Sequence, residues 1–356
     1  MQTTTHHDYM ASALKLAERG RLTVSPNPMV GCIIVKNGRI IGEGYHHCAG
    51  EPHAEIYALQ EAGLDAQGAT AYVSLEPCCH HNRTPPCTDA LIKSGIKQVY
   101  IACLDPNPLV QGKGVEALRS AGIQVEIGLG EKEAVQLNEV FFHYITHKRP
   151  FVITKWAMSL DGKTITHPND SKSISCAESR DTTHITRQQV DAILIGANTA
   201  INDDPLLTVR LKSQYETIYK HPIRIILSSG NRLPLDLKMF DTSMPAKTII
   251  ATTNDIDGKY RQLSVDKNIE ILVLPKNKSG QVDLPSLLDE LGKREITSLL
   301  VEGGMTVHES FFEHNLVNKV HVYLAPLIIG TLEKKKKLNQ IHFSQINCDF
   351  HFVAGE

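Results

Sequence analysis

One short constellation limits what this chain can fold into. It is His53-Ala54-Glu55, then a strand-length stretch, then Pro77-Cys78-Cys79-His80-His81-Asn82-Arg83-Thr84-Pro85-Pro86-Cys87. A catalytic zinc takes three protein ligands and keeps one place open, and it favours imidazole and thiolate. His53, Cys78 and Cys87 supply that set, so the fold must bring three separated residues to one point. Zinc held this way lowers the pKa of water from about 15.7 to roughly 7. Hydrolysis at an amino-substituted ring carbon then needs a group that moves protons from water to ring nitrogen and to the leaving amine. Glu55, two places after the imidazole and not itself a ligand, fits that role.

His-x-Glu followed by Pro-Cys and a later Cys is the order of the zinc nucleobase deaminases, here with a longer second spacing than Cys-x-x-Cys. Two alternatives stay open. Cys79 competes with Cys78 for the metal, although Pro77-Cys78 matches the motif. His80 or His81 as a fourth ligand would close the site and make it structural. Against a structural knot, Glu55 would have no purpose; against two buried thiols, such burial would not require His53. The apolar pattern from Ala54 through Ala62 predicts a helix beginning at His53 and Glu55, and Thr88 to Ser94 predicts another just after Cys87. Amides at helix N-termini favour thiolate.

Met10, Ala13, Leu14 and Ala17 recur at helical spacing, which predicts an opening helix. Ser25-Pro26-Asn27-Pro28 is a loop, since each proline forces its predecessor out of helix. Val30 to Lys36 and Arg39 to Tyr45 read as strands joined by Asn37-Gly38, a hairpin turn. Ala71 to Leu75, Gln98 to Leu104 and Gln124 to Leu129 read as further strands, with helices at Asp89 to Ser94, Val115 to Ala121 and Gln136 to Ile145. Together they predict a mixed sheet flanked by helices with the site on loops at strand ends.

The 356 residues, 42% hydrophobic and 21% charged, imply two domains. Net charge is −2, which gives no reason to expect bulk nucleic-acid binding. No apolar stretch approaches the roughly 20 residues of a membrane span, so no membrane partner and a cytoplasmic location are expected. Eight cysteines in so long a chain do not read as a disulfide framework; Cys32, Cys48, Cys103, Cys176 and Cys348 are expected mostly packed as small hydrophobes.

The polar connector Thr146-His147-Lys148-Arg149-Pro150 divides the chain at 147/148 into a deaminase domain, 1–147, and a second domain, 148–356. Phe151 to Met158 opens a second sheet. No Gly-x-Gly-x-x-Gly follows a strand, which excludes a Rossmann dinucleotide fingerprint. In its place Ser298 to Val301 is an apolar strand followed by Glu302-Gly303-Gly304-Met305-Thr306 and a helix from Val307 to about Asn315. Two glycines before a helix N-terminus let backbone amides approach phosphate; a tight turn explains them equally well. Gly196-Ala197-Asn198-Thr199 follows another strand, Ala192 to Ile195.

Asn27-Pro28 to Gly31, Gly50-Glu51-Pro52-His53-Ala54-Glu55, Leu75-Glu76-Pro77-Cys78, Arg83-Thr84-Pro85-Pro86-Cys87 and Asp105-Pro106-Asn107-Pro108 resemble the deaminase half of the bifunctional riboflavin-biosynthesis deaminase/reductase family. Lys155 to Gly162, Asp203-Asp204-Pro205 and Val301-Glu302-Gly303-Gly304 resemble its reductase half. The resemblance implies an N-terminal cytidine-deaminase-like α/β/α sandwich and a C-terminal α/β domain like dihydrofolate reductase. It also implies zinc, NADPH, phosphoribosylaminopyrimidine substrates and a homodimer or tetramer formed through the reductase sheet. It places metal on His53, Cys78 and Cys87, the proton shuttle on Glu55, and ring and phosphoribosyl contacts on Asn27, His80, Arg83 and Asn107. In the second domain it places cofactor along Ala157, Ser173, Thr199, Asp203, Ser229 and Gly304-Met305-Thr306-Val307-His308-Glu309. Substrate falls to Ser171, Arg187, Leu207, Arg210 and Glu302, with the two arginines as planar phosphate clamps. Lys155 would assist the sugar oxygen and Asp203 orient it. Cys79 and Ser173 depart from the family pattern, where serine and tryptophan are expected. The run Lys334 to Lys337 reads as a solvated loop. Competing readings are a nucleoside or RNA-base deaminase with an inert appendage, and a zinc-stabilised binding protein.

Overall fold

The turn Asn37-Gly38 sets the first sheet: both residues are left-handed (φ 51° and 73°), the geometry of a two-residue hairpin. In this computed structural model the described residues are 5–80, 86–164, 174–211, 220–230, 233–241, 243, 246–253, 262, 265 and 269–330, together with the backbone of 336–337, 339–346 and 349–355. They fall into two units: Met1–Pro150 with Asp289–Thr297, and Phe151–Leu288 with Ser298–Glu356.

In the first unit α1 (His6–Ala17) precedes β1 (Gly31–Lys36) and β2 (Arg39–Tyr45). Then come α2 (Ala54–Ala62), β3 (Thr70–Val73), α3 (Cys87–Lys93), β4 (Gln98–Ile101), α4 (Lys113–Ser120), β5 (Gln124–Ile127), α5 (Glu131–Leu137) and α6 (Glu139–His147). The sheet order is β2-β1-β3-β4-β5, antiparallel on either side of β1 and parallel from β3 onward. Side chains alternate between two cores. Cys32, Ile34, Val73, Val99 and Ile101 pack with Ala54, Ala58, Leu91 and Leu118 on one face; Ile33, Val35, Tyr72 and Tyr100 pack with Met10, Ala13 and Ala134 on the other. This is a three-layer α/β/α unit, and each fully buried aliphatic side chain contributes about 1.5–3 kcal/mol relative to exposure.

Three sequence expectations change here. The helix expected over Gln136 to Ile145 is two helices, because the buried Asn138 leaves helical geometry to pin the chain. Its Oδ1 accepts the Met29 N–H at 2.8 Å, and its Nδ2 donates to the Met29 carbonyl at 2.9 Å. The division at 147/148 follows chain continuity; the units part after Pro150, and the first also takes in 289–297. Arg149 Nε and Nη2 donate to the two oxygens of Asp289 at 2.6 and 3.0 Å, and Tyr144 Oη donates to the Gly292 carbonyl at 3.1 Å. Cys48 and Cys176 are exposed, whereas Cys32 and Cys103 are buried as expected; Cys348 lies outside the described residues.

The second unit contains β6 (Phe151–Ser159), α7 (Ala177–Gln189), β7 (Ala192–Gly196), α8 (Ala197–Asp203), β8 (Ile223–Leu227), β9 (Thr248–Thr252) and β10 (Ile269–Val273). It continues with the start of α9 (Leu284–Lys293), then β11 (Ser298–Val301), α10 (Met305–Glu313) and β12 (Lys319–Ala325). Its seven strands run in the order β10-β9-β8-β7-β11-β6-β12, and every pairing in it is parallel. The central strands β7 and β11 are buried at every residue, as a parallel sheet covered on both faces requires. Lys336-Lys337, expected in a loop, pair antiparallel with Leu327-Ile328; Lys334 and Lys335 lie outside the described residues. No helix among the described residues is long and apolar enough to cross a membrane.

Candidate active sites

Two helix starts and a strand end deliver the three metal-type ligands. His53 is the N-cap of α2, with extended backbone at φ −78° and ψ 166°. Cys87 is the first residue of α3, and Cys78 lies in the segment that leaves β3. Glycines let α2 come close: a methyl on Gly42 or Gly44 of β2 would overlap the Ala58 or Ala54 carbonyl oxygen. The ligand atoms of His53, Cys78 and Cys87 lie within 4.8 Å of one another, the one such cluster among the described residues. His53 Nδ1 is 3.3 Å from Cys87 Sγ and 3.5 Å from Cys78 Sγ. The Cys87 N–H donates to Cys78 Sγ at 3.4 Å. Cys79 faces elsewhere, its thiol directed to the Leu109 carbonyl at 3.9 Å.

The electrostatics follow from this crowding. The Cys87 thiol draws Cys78 down to about 4 against the cost of burial, with His53 pulling the same way. Cys87, facing that sulfur and buried, rises well above the usual thiol value. His53 is raised by its bond to Cys78. Burial raises Glu55, whose Oε2 has no hydrogen-bond partner among the described residues. Converging imidazole and sulfur donors with an unpartnered carboxylate oxygen beside them fit a zinc ion and a water.

A cleft of about 340 Å³ opens at this cluster and brings together Asn27, His53, Glu55, Cys78, His80 and Asn107. His80 Nδ1 is buried there without a partner among the described residues. Asn107 spends its Oδ1 on the Leu109 N–H at 3.1 Å. Arg83 and His81 lie outside the described residues. His46, Glu76, Asp105, Tyr144, Lys148 and Glu295 also line the cleft, and sequence reasoning gave none of them a role. Glu76 accepts the N–H groups of Asp105, Gly112 and Val115 at 3.3, 3.0 and 3.2 Å, which pins the Asp105 to Val115 segment under the cleft. Burial pushes Asp105 up to about 6. Its signal in the sequence was its place in Asp105-Pro106-Asn107-Pro108; Glu295 carried no signal.

In the second unit a pocket of about 170 Å³ is lined by Thr199, Ser229, Gly304, Thr306 and Val307 from the expected cofactor set, and also by Gly196, Asn198, Leu227, Gln281 and Ser310. Gly304 sits at φ 71°, and a side chain at Gly303 would strike Ile195, so the glycine pair serves close packing of the turn as well as the pocket. Asp203, Met305 and Glu309 are exposed and Ala157 is half-buried; none of the four lines the pocket. His308 is buried, its ring 5.4 Å from that of Trp156. Ser171 and Ser173 lie outside the described residues.

The expected substrate residues form a charged cluster. Arg187 Nε and Nη2 donate to the two Glu302 oxygens at 2.7 and 2.8 Å, with the side chains 12% and 9% exposed. The fork expected to clamp phosphate is thus engaged by a carboxylate, because burial of either charge requires a partner. Burial pushes Glu302 up, but Arg187 outweighs it and holds the carboxyl below its ordinary value. Burial lowers Lys155. Arg210 is exposed and donates to Thr208 Oγ1 at 2.9 Å, and Leu207 is buried at φ 51°.

Residues 3–103 match the cytidine and deoxycytidylate deaminase zinc-binding region, and residues 150–353 match the RibD C-terminal domain. Fold and site therefore define a zinc-binding deaminase joined to a reductase. The chain is 44% identical over 346 residues to riboflavin biosynthesis protein RibD of Actinobacillus pleuropneumoniae, covering 97% of this chain and 90% of that protein. It is 47% identical over 323 residues to RibD of Aquifex aeolicus, covering 91% and 87%. Among solved structures, Acinetobacter baumannii RibD superposes with a TM-score of 0.80 at 37% identity, covering 98% and 99%. A Thermotoga maritima diaminohydroxyphosphoribosylaminopyrimidine deaminase/5-amino-6-(5-phosphoribosylamino)uracil reductase gives 0.79 at 37%, covering 98% and 97%. The chain belongs to the RibD family, the bifunctional deaminase and reductase of riboflavin biosynthesis.

Proposed function

We propose that the first unit deaminates diaminohydroxyphosphoribosylaminopyrimidine and that the second reduces 5-amino-6-(5-phosphoribosylamino)uracil with NADPH, the pair of reactions named for the Thermotoga maritima relative. The observation that carries the reading is the convergence of His53, Cys78 and Cys87 within 4.8 Å beside the buried Glu55. His53, Cys78 and Cys87 would hold the zinc, which would lower the pKa of water and so make it a nucleophile at neutral pH. Glu55 takes one proton of water at its unpartnered Oε2 and passes it to the ring nitrogen as the carbon–oxygen bond forms, then takes the remaining hydroxyl proton and passes it to the amine, which leaves as ammonia. Carbon–oxygen bond formation, carbon–nitrogen cleavage and departure of ammonia are thereby balanced. Burial, which raises Glu55, brings it nearer the pKa of an effective proton carrier. Asn27, His80 and Asn107 hold the ring from the cleft wall, and Arg83 holds the phosphoribosyl group.

In the second unit NADPH would supply hydride for the anomeric carbon of the sugar, whose ring carbon–oxygen bond would open to give a ribityl chain. Thr199, Ser229, Gly304, Thr306 and Val307 line the cofactor pocket, and the family resemblance assigns Ala157, Ser173, Asp203, Met305, His308 and Glu309 to parts of the cofactor that extend beyond it. Ser171, Leu207 and Arg210 hold substrate, while the Arg187–Glu302 pair orients it and Lys155 hands a proton to the opening oxygen. The enzyme works in the cytoplasm as a homo-oligomer formed through the reductase sheet. The test supplies the phosphoribosylaminopyrimidine with and without NADPH and measures ammonia, NADPH and zinc. Ammonia release without NADPH, about one zinc per chain and NADPH oxidation only after deamination are expected. Ammonia release by metal-free protein, or reduction of undeaminated substrate at the same rate, would overturn the reading.

A further inference from the structure

His46 is neither a metal ligand nor a proton carrier, yet it is buried to 2% exposure in the wall of the deaminase cleft. Its two ring nitrogens face unlike groups. Nδ1 lies 3.1 Å from the Pro52 carbonyl oxygen, which can only accept, so Nδ1 carries the hydrogen. The neutral ring then presents a lone pair at Nε2. That lone pair is 3.0 Å from the Asn27 side-chain nitrogen, which donates to it. A flipped Asn27 amide would set its oxygen against the lone pair. The amide is therefore held one way round, with one of its two N–H groups donated to His46 and its oxygen kept off that ring.

We propose that His46 is a positioning residue for deamination: through Pro52, His46 and Asn27 it fixes Asn27 Oδ1 as an acceptor, so that the cleft selects a ring edge offering N–H and rejects one offering a carbonyl oxygen there. This rests on the reading of Asn27 as a ring contact. A site built to pair a particular hydrogen-bonding group discriminates strongly against analogues that leave it unpaired, and an amide free to turn loses that discrimination. The His46 ring also meets the zinc ligand His53 edge-on, with centroids 5.3 Å apart. The test must separate support of His53 from control of Asn27.

The experiment is a double-variant cycle in the full-length, zinc-loaded enzyme with His46→Leu, Asn27→Ala and both together, measuring kcat, KM and bound zinc. His46→Leu is expected to keep its zinc and to lower kcat/KM for deamination about tenfold to a hundredfold, chiefly through KM. The double variant should match Asn27→Ala within about twofold, since His46 has nothing left to orient. Effects that multiply overturn the proposal, and so does zinc loss from His46→Leu. Should His46→Leu not fold, His46→Gln carries the test through competitive inhibition by an amino-substituted and an oxo-substituted pyrimidine nucleotide. The wild-type preference between them should fall toward one, and an unchanged ratio overturns the proposal. A wild-type enzyme that releases no ammonia would refute the substrate reading; multiplicative effects in an active wild-type background would refute this inference alone.

Discussion

In the deaminase unit the buried carboxylate of Glu55 keeps one oxygen without a partner among the described residues, whereas in the reductase unit the buried carboxylate of Glu302 is gripped at both oxygens by Arg187. The difference separates two uses of buried charge. An unpartnered carboxylate is costly and, on the proposed reading, is held ready to exchange a proton. A carboxylate locked in a bidentate pair is already satisfied and serves to set geometry. The same contrast runs through the neighbouring groups. Cys78, Cys87 and His53 are crowded together with their protonation strongly perturbed, while the reductase pocket is lined by neutral residues.

The sharpest way to break this contrast is Glu55→Gln. It should keep zinc and fold while ammonia release falls about 10²–10⁴-fold, the usual worth of a positioned acid–base group; a fully active variant would remove Glu55 from the chemistry. Next is Arg187→Met, which strands Glu302 and should lower the stability of the reductase unit by about 3–5 kcal/mol in a denaturant titration. Adding Glu302→Gln should recover part of that loss, and strictly additive losses would mean that the two do not act as a pair. Gly44→Ala should cost about 1–3 kcal/mol by overpacking, because its methyl would overlap the Ala54 carbonyl oxygen. It moves the helix that starts at His53, so bound zinc should fall with it, while unchanged zinc affinity would show that α2 gives way without disturbing the ligand.

The smallest effect is in acid. Glu302 is held below its ordinary value of 4.5 in the folded chain, so the unfolded chain binds its proton first as pH falls. Its stabilisation is complete above the unfolded value and is lost as pH drops through the lowered folded value. Stability measured from neutral pH downward should therefore decline more shallowly below about pH 4.5 in Glu302→Gln than in the wild type. Parallel acid limbs would show that the ion pair does not carry this dependence.

Much of the deaminase unit was legible because its information is local. Asn37-Gly38 specifies a hairpin through backbone sterics, and the apolar spacing after His53 specifies where α2 starts. Cys87 opens α3 because Pro86 before it is the N-cap, outside helical geometry. Long-range pairings were less legible. Asn138 breaks an apparently continuous helix because its amide meets Met29, far away in the chain, and no periodicity encodes that. Glu295 reaches the cleft wall from a segment that the chain visits only after most of the second sheet is built.

The sequence by itself determined the kind of chemistry: an imidazole, two thiols and a nearby carboxylate in this order, and two strand-to-helix glycine turns in the second half. Residue type and short spacing set donor chemistry and helix starts, and both survive without knowledge of the fold. The tertiary structure alone decided which sulfur faces His53, that Arg187 spends its fork on Glu302, and that His46 holds the Asn27 amide one way round. Those outcomes depend on directions of individual atoms across elements distant in sequence. A hydrogen bond gained or lost there turns on a few tenths of an ångström and on angle, which spacing along a chain does not record.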